Sequence, residues 1–234
     1  MSIPANLQAY MQPAWKPIVI AGDHDRATSK FSGHPWLAAN EAYPTCPNCG
    51  KPMQLLLQLN LAELPEAVQG RFGQGLLQLF YCTSEAPLCE CDCDAWAPFA
   101  VSTLARVVQP KGATSDRDLP AIENSFPPKT IVDWQVMDDF PGYAERQVLE
   151  IELTEAEATA LENYPHAGDK LLGYPLWIQG IEYPHCPICS QTMRLVFQLD
   201  SEDNLPIMFG DVGCGHITQC ATHLDQVAFA WACG

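Results

Sequence analysis

Two stretches of this sequence carry residues suited to binding a metal. Cys186-Pro-Ile-Cys189 is followed, after thirty intervening residues, by Cys220-Ala-Thr-His223. Three thiols and an imidazole in two close pairs form the donor set of a closed tetrahedral zinc site, in which the protein fills every corner and no position remains for water or substrate. The first half of the chain has Cys46-Pro-Asn-Cys49, thirty-two intervening residues, and then Cys82. Its fourth ligand falls within Cys89-Glu-Cys-Asp-Cys93, with Cys89 preferred, Cys93 second and Cys91 third. The expected ligands are therefore Cys46, Cys49, Cys82 and Cys89 for one structural zinc ion, and Cys186, Cys189, Cys220 and His223 for another.

Two other chemistries use the same residue types. A Cys-Pro-x-Cys pair serves thiol redox proteins when its first sulfur sits at a helix N-terminus, which lowers the thiol pKa. Here each pair runs into an apolar alternation, "GKPMQLLLQL" or "SQTMRLVFQL", so a turn and a strand are expected in place of that helix. The stretch "FGDVGCGH" brings Asp211, Cys214 and His216 close in sequence, a possible thiol or hydrolytic centre in a cleft. No spacing rule supports it. A continuous strand would put Cys214 and Cys220 roughly 20 Å apart, so one ion cannot take both. His216 reads best as a core or rim histidine.

The elements that must position these pairs repeat along the chain. Aligned without gaps, residues 30–60 and 170–200 share twelve identities in 31 positions, among them Lys30/Lys170, Gly33/Gly173, Cys46/Cys186, Cys49/Cys189 and Gln58/Gln198. Each half then supplies a Cys pair, a strand, a connection, a second strand and a further Cys. "MQLLLQLNL" and "MRLVFQLD" are expected as strands, paired with "GLLQLFYC" and "GCGHITQC". "WAPFAVSTLARVVQ" and "DQVAFAWACG" are expected to close each repeat, and "ELPEAVQGRF" to form a short helix in the first connection. Between the halves, "TIVDWQVMDDF" reads as a strand, followed by a helical stretch in which Thr154 and Glu157 have capping-box spacing. Gln58 and Gln198, polar residues at matched places in apolar strands, are expected either to satisfy buried backbone groups or to line a shared cleft. The expected fold is α+β and sheet-rich, with residues 1–112 as a first repeat, 113–165 as connecting strand and acidic helical segment, and 166–234 as a second repeat, packed as one pseudo-symmetric unit.

Composition narrows the function classes. With 28 acidic and 12 basic residues the formal charge is −16, and no Lys/Arg cluster offers a face to phosphate, so nucleic acid is not an expected partner. Filling two sites with seven thiolates and two divalent ions would leave the chain more negative still. No apolar run reaches the roughly 20 residues that span a bilayer, and the first residues lack a signal-peptide pattern, which leads to the expectation of a cytoplasmic protein without membrane contact. Eleven cysteines, an odd number, suit thiolate ligation better than a secreted disulfide scaffold.

The segments "SKFSGHPWL", "LLLQLNLAELP", "GLLQLFYC", "DKLLGYPLWIQG" and "FGDVGCGHI" resemble the YwqG-like family of bacterial domains of unknown function. The likeness covers nearly the whole chain and implies a duplicated, sheet-rich α+β fold. The Cys pairs depart from many members and mark a metal-binding branch. That branch is more distantly similar, through "CPNC" and "LFYCTSEAPLC", to the programmed cell death protein two family, zinc-binding proteins implicated as chaperones for a ribosomal protein. This resemblance favours Cys82 with Cys89 in the first site. The expected function is a protein-binding, adaptor or chaperone-like module, with a basic protein among the candidate partners. A toxin-immunity-type binding protein and an enzyme are the alternatives.

Overall fold

The computed structural model describes residue 3 and residues 5–115 and 117–234. Ten antiparallel strands form one sheet: β1 (Gln12–Ala21), β2 (Lys30–Phe31), β3 (Gln54–Asn60), β4 (Leu76–Tyr81), β5 (Thr103–Val108), β6 (Lys129–Asp139), β7 (Lys170–Leu172), β8 (Arg194–Asp200), β9 (Cys214–Gln219) and β10 (Val227–Ala232). Their order across the sheet is β10-β9-β8-β7-β1-β6-β2-β3-β4-β5. A long β1–β6 ribbon is flanked on each side by four strands traversed in sequence order, and strands from all three sequence segments share the sheet. The last strand, β10, lies against β5, so the sheet curls into a nearly closed barrel. The Trp231 N–H donates to the Trp96 carbonyl (3.1 Å) across that closure.

Strand parity decides what each face carries. On β4, Leu77, Leu79 and Tyr81 point into the main core, where they meet Phe197, Leu199, Phe209, Ile217, Phe229 and Trp231. The alternate residue Phe80 points the other way and packs with Cys46, Met53, Leu55, Cys82 and Cys89. In β9 and β10, Ile217 and Phe229 go inward, while Ala228 and Cys220, just past β9, pack outward with Cys186 and Met193. Strands buried on both faces need a second layer, and the loops carrying the Cys pairs provide it.

Polar residues in these apolar strands tie that layer down. Gln58 donates to the carbonyls of Arg26 (2.8 Å) and Thr28 (2.9 Å), and its Oε1 accepts from the Trp36 N–H (2.9 Å) and from Gln78 (2.9 Å). Gln198 donates to Gly168 (2.8 Å) and accepts from the Leu176 N–H (2.8 Å). Both glutamines thus satisfy buried backbone groups of the covering loops. Directly across the strands run two matching polar rows, Lys30–Gln58–Gln78 and Lys170–Gln198–His216.

Several expectations need adjustment. "ELPEAVQGRF" holds only a 3-10 turn at Glu66–Val68. Of "WAPFAVSTLARVVQ", only Thr103–Val108 is strand, because residues 94–102 turn repeatedly, with Asp94 and Phe99 at positive φ. The acidic stretch forms two short helices, α2 (Tyr143–Val148) and α3 (Glu155–Ala160), in place of one long one. The capping box is present at α3: Thr154 Oγ1 accepts from the Glu157 N–H (3.4 Å), and Glu157 accepts from the Thr154 N–H (2.8 Å). Strand β1 was not anticipated, since Pro13 and Pro17 argue against a strand inside a sheet. It is tolerated because β7 pairs with β1 only at Ala14 and Trp15, which leaves most of β1 without a ladder on that side. Among the described residues, no helix is long and apolar enough to cross a membrane.

Candidate metal centres

Each Cys-x-x-Cys pair lies in a turn closed in the same way. The Cys46 N–H donates to the Lys51 carbonyl and the Gly50 N–H to the Cys46 carbonyl (both 2.8 Å). In the second turn Cys186 pairs with Gln191 (2.9 Å) and Ser190 with Cys186 (2.8 Å). The turn requires a left-handed residue just after its second Cys, where Gly50 has φ +71° and Ser190 φ +57°. A strand, not a helix, follows each turn, so neither pair sits at the helix N-terminus that a redox thiolate uses. Cys82 follows β4 and Cys220 follows β9, which carries both sulfurs back to the turns. The fourth member of each group comes from α1 (Cys89–Asp92) and from the bend after Cys220 that presents His223.

Two groups of four result. In Cys46, Cys49, Cys82 and Cys89, and again in Cys186, Cys189, Cys220 and His223, the ligand atoms all lie within 4.8 Å of one another. The sulfurs of Cys46 and Cys89 are 3.9 Å apart, those of Cys49 and Cys82 3.7 Å, and those of Cys189 and Cys220 3.6 Å. His223 Nδ1 is 3.7 Å from the sulfurs of both Cys186 and Cys220. A tetrahedron with metal–sulfur bonds of about 2.3 Å has edges of about 3.8 Å, whereas a disulfide is about 2.05 Å long. The two clusters are geometrically able to hold metal ions, and all eleven cysteines are free thiols.

Within each cluster the thiols shift one another's acidity in both directions. Burial acts to raise the Cys49 thiol, but the Lys51 N–H and the other three sulfurs overcome it and bring it down to about 7. Cys89 is pushed up to about 11, chiefly by burial. In the second cluster the His223 N–H, with that of Thr222, holds Cys220 down to about 6 against its burial. Such sulfurs share protons that a cation would displace. Asn48 adds a contact the sequence reading missed, its amide donating to the Cys89 sulfur (3.4 Å). Its counterpart Ile188 is exposed, so the second cluster has no equivalent there.

The structure places Cys89, and neither Cys91 nor Cys93, in the first cluster. Helix α1 turns Cys89 inward and Cys91 out to solvent, while Cys93, one turn beyond Cys89, packs against the cluster's edge. Asp211, Cys214 and His216 form no open centre. Cys214 and His216 are buried in contact (3.8 Å), and His216 packs tilted against Trp177 (centroids 4.6 Å, 51°) and is held neutral by burial. Asp211 is exposed, in the turn before β9. Burial and the nearby Asp200 push the Cys214 thiol well up, the opposite of activation. With the folded protein at pH 7.5 and a maleimide reagent, Cys91 is expected to be labelled within minutes and Cys214 to stay unlabelled, as read by peptide mass mapping. Rapid labelling of Cys214 would restore the thiol-enzyme alternative.

Comparison with known proteins places this arrangement. Over 174 residues, 71% of the chain, the sequence is 26% identical to the uncharacterized protein YpfL of Salmonella typhimurium, and the match takes in 34% of that protein's length. Residues 29–233, from the buried Ser29 beside β2 to the end of β10, match the family described as "Domain of unknown function (DUF1963)". The matched region contains both four-residue clusters and every strand except β1, so the chain belongs to the DUF1963 family.

Proposed function

We propose that this chain is a cytoplasmic protein-binding module, of an adaptor or chaperone-like kind, whose two halves arose by duplication and are each fastened by a structural zinc ion. The carrying observation is the pair of four-ligand clusters, each joining a turn, a hairpin and a following loop with near-tetrahedral edge lengths. Four protein donors per ion leave no open corner, which suits a structural ion and not a catalytic one. Free thiols throughout suit a reducing compartment. The matched Cys turns, polar rows and strand order support the duplication, and the quoted segments support a Cys-rich, YwqG-like branch. Ile18 and Ile20, exposed on one face of β1, are available for contact with a partner protein. The acidic charge favours a basic partner.

Native mass spectrometry of protein purified without chelator tests the reading. Two zinc ions per chain are expected, with eleven thiols titrated after denaturation in chelator. A metal-free chain whose Cys46–Cys49 and Cys186–Cys189 pairs are disulfides would replace it with redox chemistry.

A further inference from the structure

A cavity of about 730 Å³ opens where the sheet closes, between the loops that leave the two metal clusters. We propose that it binds an organic cation, a substituted ammonium or guanidinium group carried on an apolar body.

Three sets of residues build it. Trp96 and Trp231 meet edge to face (centroids 6.1 Å, 83°) at its wall, and Tyr183 adds a third aromatic ring. Glu90, next to the ligand Cys89, and Glu182, four residues before the ligand Cys186, bring a carboxylate from each cluster's loop. No lysine, arginine or histidine is among the described residues that line the cavity. Aromatic rings facing a cation attract it through their quadrupole, and carboxylates supply the countercharge. An anion would find two like charges and nothing to offset them. The volume falls within the usual range of small-ligand sites.

One carboxylate is held in place from the core. Trp231 Nε1 donates to the Tyr81 hydroxyl (3.2 Å), which donates to Glu90 Oε2 (2.9 Å). Tyr81 is buried, so this relay fixes Glu90 from inside the barrel and prepares it for a ligand. The cavity is not a third metal site. Its thiols, Cys91 and Cys233, and its two carboxylates do not converge, since the only groups of three or more metal-type ligands among the described residues are the two clusters. Where the cation is a side chain of another protein, the assignment rests on the protein-binding reading above. As a cation site it stands without that reading.

The test uses the full chain with its metal and follows tryptophan fluorescence and calorimetry. The probes are butylguanidinium, tetramethylammonium and a blocked Gly-Arg-Gly peptide, with butylurea and the citrulline peptide as neutral counterparts. At least one cationic probe is expected to saturate and to bind about tenfold more tightly than its neutral counterpart. Glu182→Gln and Trp96→Ala are each expected to weaken binding by about five- to tenfold, because each removes one attraction. Asp225→Asn, which removes an exposed charge outside the cavity, should leave binding unchanged. Binding by the free ions identifies a small-molecule ligand and binding by the peptide alone a partner's arginine, and either upholds the site. Equal binding of neutral and charged probes, equal losses in Asp225→Asn and Glu182→Gln, or no saturable binding by any cationic probe would overturn it. A chain that binds the cation but captures no protein would refute the protein-binding reading and leave the cavity assignment intact.

Discussion

Cys82→Ala is expected, on the proposed two-zinc reading, to drop the metal content from two ions per chain to one and to leave the protein unfolded or aggregated at 37 °C. Cys82 is buried at the end of β4 and is the residue that ties the β3–β4 hairpin to the Cys46–Cys49 turn. A structural zinc ion contributes on the order of 10 kcal/mol to the folding of small zinc domains, and a whole domain is stable by only about 5–15 kcal/mol. Loss of one site therefore consumes most of the margin. Cys186→Ser in the second cluster should act at least as strongly. That cluster has only Met193 and Ala228 as buried apolar company, whereas Met53, Leu55 and Phe80 remain around the first. Cys93→Ser is the control. It packs against the first cluster without entering it, so both ions should stay and the melting temperature should shift by no more than a few degrees. Native mass spectrometry with thermal denaturation reads all three variants. A Cys82→Ala protein that keeps two ions and the parent melting temperature would show that these sulfurs hold no structural metal.

Why the two four-residue groups were readable in the sequence, and other features were not, follows from the range over which each is determined. A Cys-x-x-Cys turn is local, its partner Cys lies one hairpin away and His223 follows Cys220 by three residues, so spacing is enough to place seven of the eight residues. The ambiguity among Cys89, Cys91 and Cys93 was resolved only by α1, a four-residue helix whose inward face cannot be read from a run of alternating Cys and acidic residues. The apolar runs of β3, β4 and β8 announced themselves because both faces are buried. Strand β1 did not, since its prolines carry the wrong local preference and its place is set by pairing with β6, whose partners lie more than a hundred residues away. The cation cavity was invisible for the same reason. Its rings and carboxylates come from residues 90–98, 179–184 and 230–233, which meet only when β10 closes on β5. Buried Lys30 and Lys170 lie between these cases: the repeat marked them as equivalent but gave no hint of their carboxylate partners.

Those lysines carry the second large effect. Lys170→Met is expected to destabilise the protein by about 3–5 kcal/mol, the range for breaking a buried ion pair at one end. Neither Lys170 nor Asp139 has measurable side-chain exposure, and their charged atoms are 2.8 Å apart. Lys170 also donates to the His166 carbonyl (2.6 Å). Asp139 accepts from the N–H groups of His166 (2.9 Å) and Tyr174 (2.9 Å), so the pair fastens the loops on both sides of β7 to the end of β6. Removing the ammonium strands a buried carboxylate that its remaining N–H donors only partly offset. Lys30→Met should cost less. Its partner Asp23, 2.5 Å away, is 14% exposed and keeps a second contact to His34 Nδ1 (2.8 Å), so water and the imidazole take up part of the lost charge. Urea midpoints compared with the parent measure both variants. Equal losses would mean that partner burial does not set the cost. A loss below about 1 kcal/mol for Lys170→Met, the value typical of an exposed pair, would mean that water reaches Asp139 and that the layer over β7 opens in solution.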